Sequence, residues 1–225
     1  MTDRRAVHVV VALALAAAAC GHPEQKVVDQ YFGAVNARDN DTLSSFAVVN
    51  FDTKDKRIDN WKINGAGDEQ VVDAPLLGLV QALKDADAKV NDNKKEYLKY
   101  FFEHPTEVDQ VKPLVNKPGA TIPPKLQPYA ARWKEFTDKE RELKKAVAEA
   151  KDAVEKEKRL VALSIGTNEG LEAMTGKMRS KTLDVAISIG GETKDYTMVL
   201  RKFEMTGGTQ RTLNRWVIYE LKPKG

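Results

Sequence analysis

The stretch from Pro75 to Val161 most narrows what this chain can fold into, because two long apolar seams at helical spacing flank a segment that cannot be helical. The first seam runs through Leu76, Val80, Leu83, Val90, Tyr97 and Phe101, interrupted by Asp87 and Lys94. Pro75 suits the first turn of such a helix. His104-Pro105 ends it, since the residue before a proline is driven out of the α region. A short helix from Thr106 to Val115 follows. Asn116 to Pro124, which holds three prolines and a glycine, then reads as a turn-around loop. The second seam starts near Leu126 and uses Phe136, Leu143, Val147, Ala150, Val154 and Val161, with Glu140 and Glu157 interrupting. At about 1.5 Å per residue the two helices measure roughly 45 and 60 Å. The expected object is an antiparallel helical hairpin spanning 74–165, either projecting from a smaller domain or lying across it.

What surrounds the hairpin has a different texture. From Glu24 onward, Val27, Val28, Tyr31, Phe32 and Val35 share one helical face. Asn36 to Asp41 breaks the pattern, and Asp41 is placed to cap a second short helix carrying Leu43, Phe46 and Ala47. A strand is expected from Arg57 to Asn64, ended by Gly65-Ala66-Gly67. After the hairpin, strands are expected at Lys181 to Ile189, Lys194 to Met205 and Leu213 to Leu221, separated by Gly190-Gly191 and Gly207-Gly208. If both turns hold two residues, Leu183, Val185, Ile187, Ile189, Tyr196, Met198, Leu200, Val217, Tyr219 and Leu221 share the core face. Asp184, Ala186, Ser188, Thr197, Val199, Arg201, Trp216, Ile218 and Glu220 then share the other.

The first twenty residues carry an address. Arg4 and Arg5 precede an apolar run, Ala6 to Ala19, which is shorter than the roughly 20 residues of a membrane-crossing helix and fits a signal peptide over 1–19. Ala17-Ala18-Ala19-Cys20-Gly21 resembles a bacterial lipobox, with Ala17 where leucine is usual. That resemblance implies a lipid attached to Cys20, the only cysteine in the chain, and 20–23 as a very short tether. Two or three acyl chains make such an attachment effectively permanent, since each buried CH₂ contributes about 0.8 kcal/mol. It also implies a place in the bacterial cell envelope. Gly21 after the cysteine favours the periplasmic face of the outer membrane if the cell is Gram-negative.

Two opening helices reading Val27-Val28-Asp29-Gln30-Tyr31-Phe32-Gly33-Ala34-Val35-Asn36-Ala37-Arg38-Asp39, and a sheet ending Asn214-Arg215-Trp216-Val217-Ile218-Tyr219-Glu220-Leu221, resemble the NTF2-like fold. They are similar in particular to small bacterial lipoproteins with a DUF4878-like domain. The resemblance covers residues 24–67 and 178–222. It implies an α+β fold in which a curved antiparallel sheet packs on helices and encloses a cone, within a domain spanning 24–225. The long hairpin, standing where that family has one short helix, departs from the pattern.

Candidate chemistry is sparse. Net charge is +3 for the whole chain, near +2 without 1–19, which is no signature of nucleic-acid binding. Of the histidines, His8 lies in the segment to be removed, His22 beside the anchor and His104 at a helix end. No His, Cys, Asp or Glu grouping has metal-ligand spacing. Gly170 to Met178 has one residue too many for a phosphate loop, ends in Met178 where Ser or Thr is needed, and is read as a hinge instead. Asp184, Arg201 and Glu220 near Trp216 are the only sheet-borne set able to act inside a cone, against the plainer reading of cross-strand charge pairing. Tyr196 and Tyr219 are expected to adjoin in the core. No catalytic, cofactor or metal residue is assigned. The reading is a non-catalytic, membrane-anchored lipoprotein that binds an envelope partner or ligand through its NTF2-like domain and the hairpin which that domain presents or braces. Two alternatives stand beside it: a cavity enzyme or small-molecule binder of NTF2-like kind, and a helical spacer capped by strands.

Overall fold

The computed structural model describes residues 24–207 and 212–224. The expected signal segment 1–19, the lipid attachment expected at Cys20 and the expected tether 20–23 lie outside them, as does Gly208. The described chain is α+β, with a five-stranded antiparallel sheet, helices packed on it and one helix of 39 residues. It divides into two compact units, one formed by residues up to Ala74 together with those from Leu160, the other by Pro75–Arg159.

The sheet unit opens with α1 (Gln25–Ala37), which buries Val28, Tyr31, Phe32 and Ala34. It stops where Arg38 takes a left-handed φ of 54° and its N–H turns back to the carbonyls of Ala34 and Val35. The cap of α2 (Asn40–Phe46) is Asp39, not Asp41, because a cap must precede the first helical residue and reach three residues on. Its carboxylate accepts from the Thr42 hydroxyl at 2.6 Å and the Thr42 N–H at 2.9 Å. Those bonds, the hydroxyl's first, hold the Asp39 carboxyl below its ordinary range.

The strands are β1 (Ile58–Ala66), β2 (Gln70–Asp73), β3 (Thr175–Ile189), β4 (Glu192–Thr206) and β5 (Val217–Pro223), in the order β1-β3-β4-β5. Long β3 carries two neighbours on one side, β1 along its 183–189 half and β2 along 177–180. Gly190 and Gly191, at φ 59° and 80°, make the expected two-residue turn, which fixes Val185 opposite Tyr196 and Leu183 opposite Met198. The core between α1, α2 and the sheet is built from Val28, Tyr31, Phe32, Phe46, Ile58, Ile63, Leu183, Val185, Ile187, Met198, Leu200 and Ile218, among others.

The last strand corrects the expected register. It begins at Val217 rather than Leu213, so no two-residue loop joins it to β4. Leu200 lies opposite Ile218 and Val199 opposite Glu220, which leaves Tyr219 as an extra residue on β5. Ile218 and Leu221 therefore join the core face, while buried Val217 points to the opposite one. Tyr196 and Tyr219 do not adjoin. Tyr196 packs edge-on to Phe51 at 5.3 Å, and Tyr219 lies under the Arg201 guanidinium at 3.5 Å.

The segment expected to hinge contains a 3-10 turn at Leu171–Ala173 and the first residues of β3. Leu171 and Met174 are buried, and β3 already starts at Thr175, so Gly176 and Lys177 belong to a strand. At Gly176 the backbone of β4 comes so close that a Cβ would sit 2.8 Å from the Met205 Cα and nearer still to the Glu204 carbonyl oxygen. Gly176→Ala is therefore expected to destabilise the sheet unit by about 1–2 kcal/mol, as overpacking does. A thermal melt checks this; a variant that melts with the parent removes the argument.

In the helical unit, α3 (Leu76–Glu103) and α4 (Pro105–Val115) meet at His104, and a 3-10 turn at Pro124–Leu126 leads into α5 (Gln127–Ile165). Rising positions on α3 meet falling positions on α5: Glu96 with Lys139 at 3.7 Å, Tyr97 with Phe136 at 6.0 Å, His104 with Tyr129 at 5.2 Å. The two helices thus run antiparallel. A smaller cluster of Val111, Leu126 and Ala130, with Ile122 and Trp133 against it, closes the end where the chain reverses.

Candidate functional site in the helical unit

Heptad spacing along α3 places Val90, Asn93 and Tyr97 toward α5, and Trp133, Phe136 and Glu140 answer from α5. The aromatic rings do not close on one another. Tyr97 stands edge-on to Trp133 at 5.4 Å and to Phe136 at 6.0 Å, and beside them is a cavity of about 470 Å³ lined also by Asn91, Lys94, Thr137 and Lys144. Ligand pockets commonly measure about 300–1,000 Å³ and combine apolar walls with a few polar groups. On the far side of this wall Lys112 lies 4.4 Å from the Phe101 ring centre and 5.2 Å from that of Trp133. Arg132 similarly lies over Phe136, which fixes the orientation of these rings.

Two of the lining residues each carry a buried polar atom with no hydrogen-bond partner among the described residues, Asn93 Oδ1 and Trp133 Nε1. Asn93 is 4 % exposed. Around the opening, Lys144 is paired to Glu140 at 2.6 Å and Lys94 is exposed.

The sheet-borne set does not converge. Asp184 pairs with Lys224 at 2.8 Å and Glu220 with Lys222 at 2.6 Å, while Arg201 covers Tyr219. Asp184 stands opposite Thr197 on β4 and Glu220 opposite Val199, two rungs away. The space under α1 and α2 is occupied by side chains, with Tyr31, Phe32, Met198 and Leu200 fully buried. The Tyr31 hydroxyl donates to the Val49 carbonyl, and burial pushes the phenol well up, so it holds its proton at neutral pH. At the Phe51–Tyr196 end a cavity of about 330 Å³ remains, walled by Ile187 and Ile189 and rimmed by Lys54, Lys56 and Lys194.

The other end of the core face holds charge. Lys181 donates to Glu24 at 2.6 Å, and Arg179 lies between Glu69 at 2.6 Å and Glu204 at 2.7 Å. The Arg179 hydrogen bond, then its charge, holds the Glu204 carboxyl below the usual range. These residues are matched to each other and leave no lone acid or base.

His104 sits between the rings of Tyr100 and Tyr129, at 4.9 and 5.2 Å. Burial, ahead of the neighbouring charges, pushes the Tyr100 phenol up. Gly170 to Met178 forms no phosphate loop, and Lys177 is paired to Asp73 at 2.7 Å. Among the described residues no group of three or more His, Cys, Asp or Glu is placed to hold a metal ion, and no helix is long and apolar enough to cross a membrane. Cys20 lies outside the described residues. Asn93 and Trp133 line the cavity yet stand out only weakly in the sequence. The heptad positions Ala86, Asn93 and Tyr100 alternate with Leu83, Val90 and Tyr97, a signal hidden by the polarity of one member. The chain matches no family model, no curated protein and no solved structure.

Proposed function

We propose that this protein is a lipid-anchored, non-catalytic binding protein of the bacterial cell envelope, in which an NTF2-like domain carries an inserted helical hairpin and the hairpin is the binding element. The lipobox-like Ala17-Ala18-Ala19-Cys20-Gly21 supports the anchor. The order of elements, two helices ahead of an antiparallel sheet interrupted by long helices, supports the fold assignment. The observation that carries the binding reading is the hairpin cavity of about 470 Å³ with its aromatic wall of Tyr97, Trp133 and Phe136, against about 330 Å³ at the Phe51–Tyr196 end of the sheet unit. If the cell is Gram-negative, Gly21 after the cysteine favours the periplasmic face of the outer membrane.

The test combines anchoring and contact in one strain set. The full chain is made in bacteria with a photoreactive residue at Lys94 or at Lys194, each with Cys20 intact and with Cys20→Ser. Intact chains should fractionate with membranes and incorporate labelled palmitate, and Cys20→Ser should shift the protein to the soluble fraction. Light should yield a discrete adduct from position 94 and none from 194. A serine variant that stays with the membrane overturns the anchor; adducts from position 194 alone overturn the role of the hairpin.

A further inference from the structure

We infer that the cleft between α1, β4 and the segment leading into β5 is a site for an organic phosphate, a phosphate group carried on a small apolar body. It lies within the sheet unit and is independent of the hairpin. The cleft measures about 320 Å³, within the range of small-molecule sites. Three cations line it, Lys26 from α1, Lys202 from β4 and Arg215 just ahead of β5, and no Asp or Glu does. The other two cavities differ in this respect, since Glu140 lines the one in the helical unit and Asp52 and Glu192 line the one at the Phe51–Tyr196 end. Gln30 and Asn214 add carboxamides to the cleft, and Val27, Phe46 and Trp216 give it an apolar wall.

Arg215 is the fixed member of the three. Its Nε donates to the Leu163 carbonyl and its Nη2 to the Ser45 carbonyl, both at 2.7 Å, while its own backbone N–H and carbonyl are bonded to Ser164. These contacts serve the ends of α5 and α2. They orient the guanidinium without neutralising it, because a carbonyl carries no net charge. Nη1 has no partner among the described residues, and Arg215 is exposed. A guanidinium already held in one orientation loses little freedom on taking an oxyanion through paired N–H donors. Lys202 stands 5.0 Å from the centre of the Trp216 ring, which places its charge against the aromatic wall. The carboxylate paired with it, Glu204, lies at 3.6 Å and is held more closely by Arg179 at 2.7 Å. Lys26 is exposed and has no ion-pair partner among the described residues. A phosphomonoester brings three acceptor oxygens and about −1.5 to −2 of charge, a closer match to these cations than a carboxylate. Two sources present a phosphate beside apolar matter, a free phosphorylated molecule and the headgroup of an anionic lipid.

The measurement uses the ¹⁵N-labelled full chain and follows the indole N–H signals, with that of Trp216 assigned by Trp216→Phe. Phenyl phosphate should move the Trp216 signal to saturation and leave that of Trp133, in the helical unit, in place. Benzyl alcohol keeps the ring without the charge, and inorganic phosphate keeps the charge without the ring; each should bind at least about tenfold more weakly. Lys26→Gln should weaken phenyl phosphate about tenfold, and so should Arg215→Lys, which keeps the charge and loses the fork. Lys26 holds no contact among the described residues that the fold needs, so its variant stands even if Arg215→Lys melts early. Benzyl alcohol binding as tightly as phenyl phosphate overturns the anion assignment. Unchanged affinity in Lys26→Gln and in a folded Arg215→Lys overturns the placement, and no saturable shift with any probe overturns the site. Short-chain lipids below their micelle concentration separate the two sources. Dihexanoylphosphatidylglycerol binding at least as tightly as phenyl phosphate, with dihexanoylphosphatidylcholine about tenfold weaker, assigns a lipid headgroup; phosphatidylglycerol about tenfold weaker than phenyl phosphate assigns a free phosphate ester. The adduct at position 94 reports on the hairpin alone, so either reading can fail without the other.

Discussion

Replacing Lys181 with methionine is expected to cost about 3–5 kcal/mol of stability, the range for removing one member of a buried ion pair. Glu24 is 3 % exposed and its Oε1 accepts from Lys181 at 2.6 Å, while its Oε2 has no partner among the described residues. Lys181 stands opposite Leu200 and so projects from the core face of β3. Without it the carboxylate stays buried, with the Oε1 hydrogen bond lost and none of its charge offset. For a chain of this size the loss corresponds to a melting temperature lower by about 10 °C. The pair itself need not be stabilising, because its attraction is set against the desolvation of both ions. Glu24→Leu with Lys181→Met, an apolar pair of similar volume, should therefore recover most of the loss. A single variant that melts within 2 °C of the parent (about 1 kcal/mol or less by the same scale) would show that Glu24 reaches water and that the pair is a surface one. Glu24 directly precedes the first helix, so this contact also ties the start of that helix to β3.

The helices were readable because a repeated apolar spacing survives one or two polar interruptions. The seams expected at Leu76 to Phe101 and Phe136 to Val161 became α3 and α5, and Pro75 and His104-Pro105 marked the ends of α3. The same tolerance hides Asn93, a polar residue outside the apolar seam that is nonetheless buried. Trp133 lies three residues before the first seam position used on α5, and spacing alone would have reached it. Strand β2 had no legible signal, since all four of its residues are exposed and no alternation marks a face. Its existence depends on β3 being long enough to carry two neighbours. The Glu24–Lys181 pair joins residues 157 positions apart, a distance over which local pattern says nothing.

The register of β5 failed for a related reason. A glycine pair suits a two-residue turn, but tertiary pairing starts the strand at Val217 and inserts Tyr219 as a bulge. One extra residue is enough to exchange Val217 and Ile218 between faces, because side chains alternate with a period of two. It also separated Tyr219 from Tyr196 and left it to Arg201. The charges Asp184 and Glu220 were placed on the correct, non-core face, and each found a lysine near the chain end rather than the other.

Ser164→Ala should cost about 3 kcal/mol, a large effect for the loss of one oxygen. Ser164 is fully buried in the last turn of α5. Its hydroxyl accepts from the Phe203 N–H at 2.9 Å and donates to the Arg215 carbonyl at 2.8 Å. The pairing of β5 with β4 ends at Arg201 opposite Val217, so Phe203 lies two residues past the last rung. There the helix end replaces the missing strand. Leu213 and Arg215 donate their N–H groups to the carbonyls of Ile165 and Ser164, and the Arg215 side chain donates to Leu163 and to Ser45. Removing the hydroxyl leaves a buried donor and a buried acceptor unpaired, at about 1–3 kcal/mol each. The substitution should lower the melting temperature and speed amide exchange at Phe203 selectively, with Met198 on the same strand protected as before. Equal acceleration at both amides would mean that the whole sheet had loosened. Unchanged protection at Phe203 would show that another group satisfies it, and would remove the helix end from the edge of the sheet.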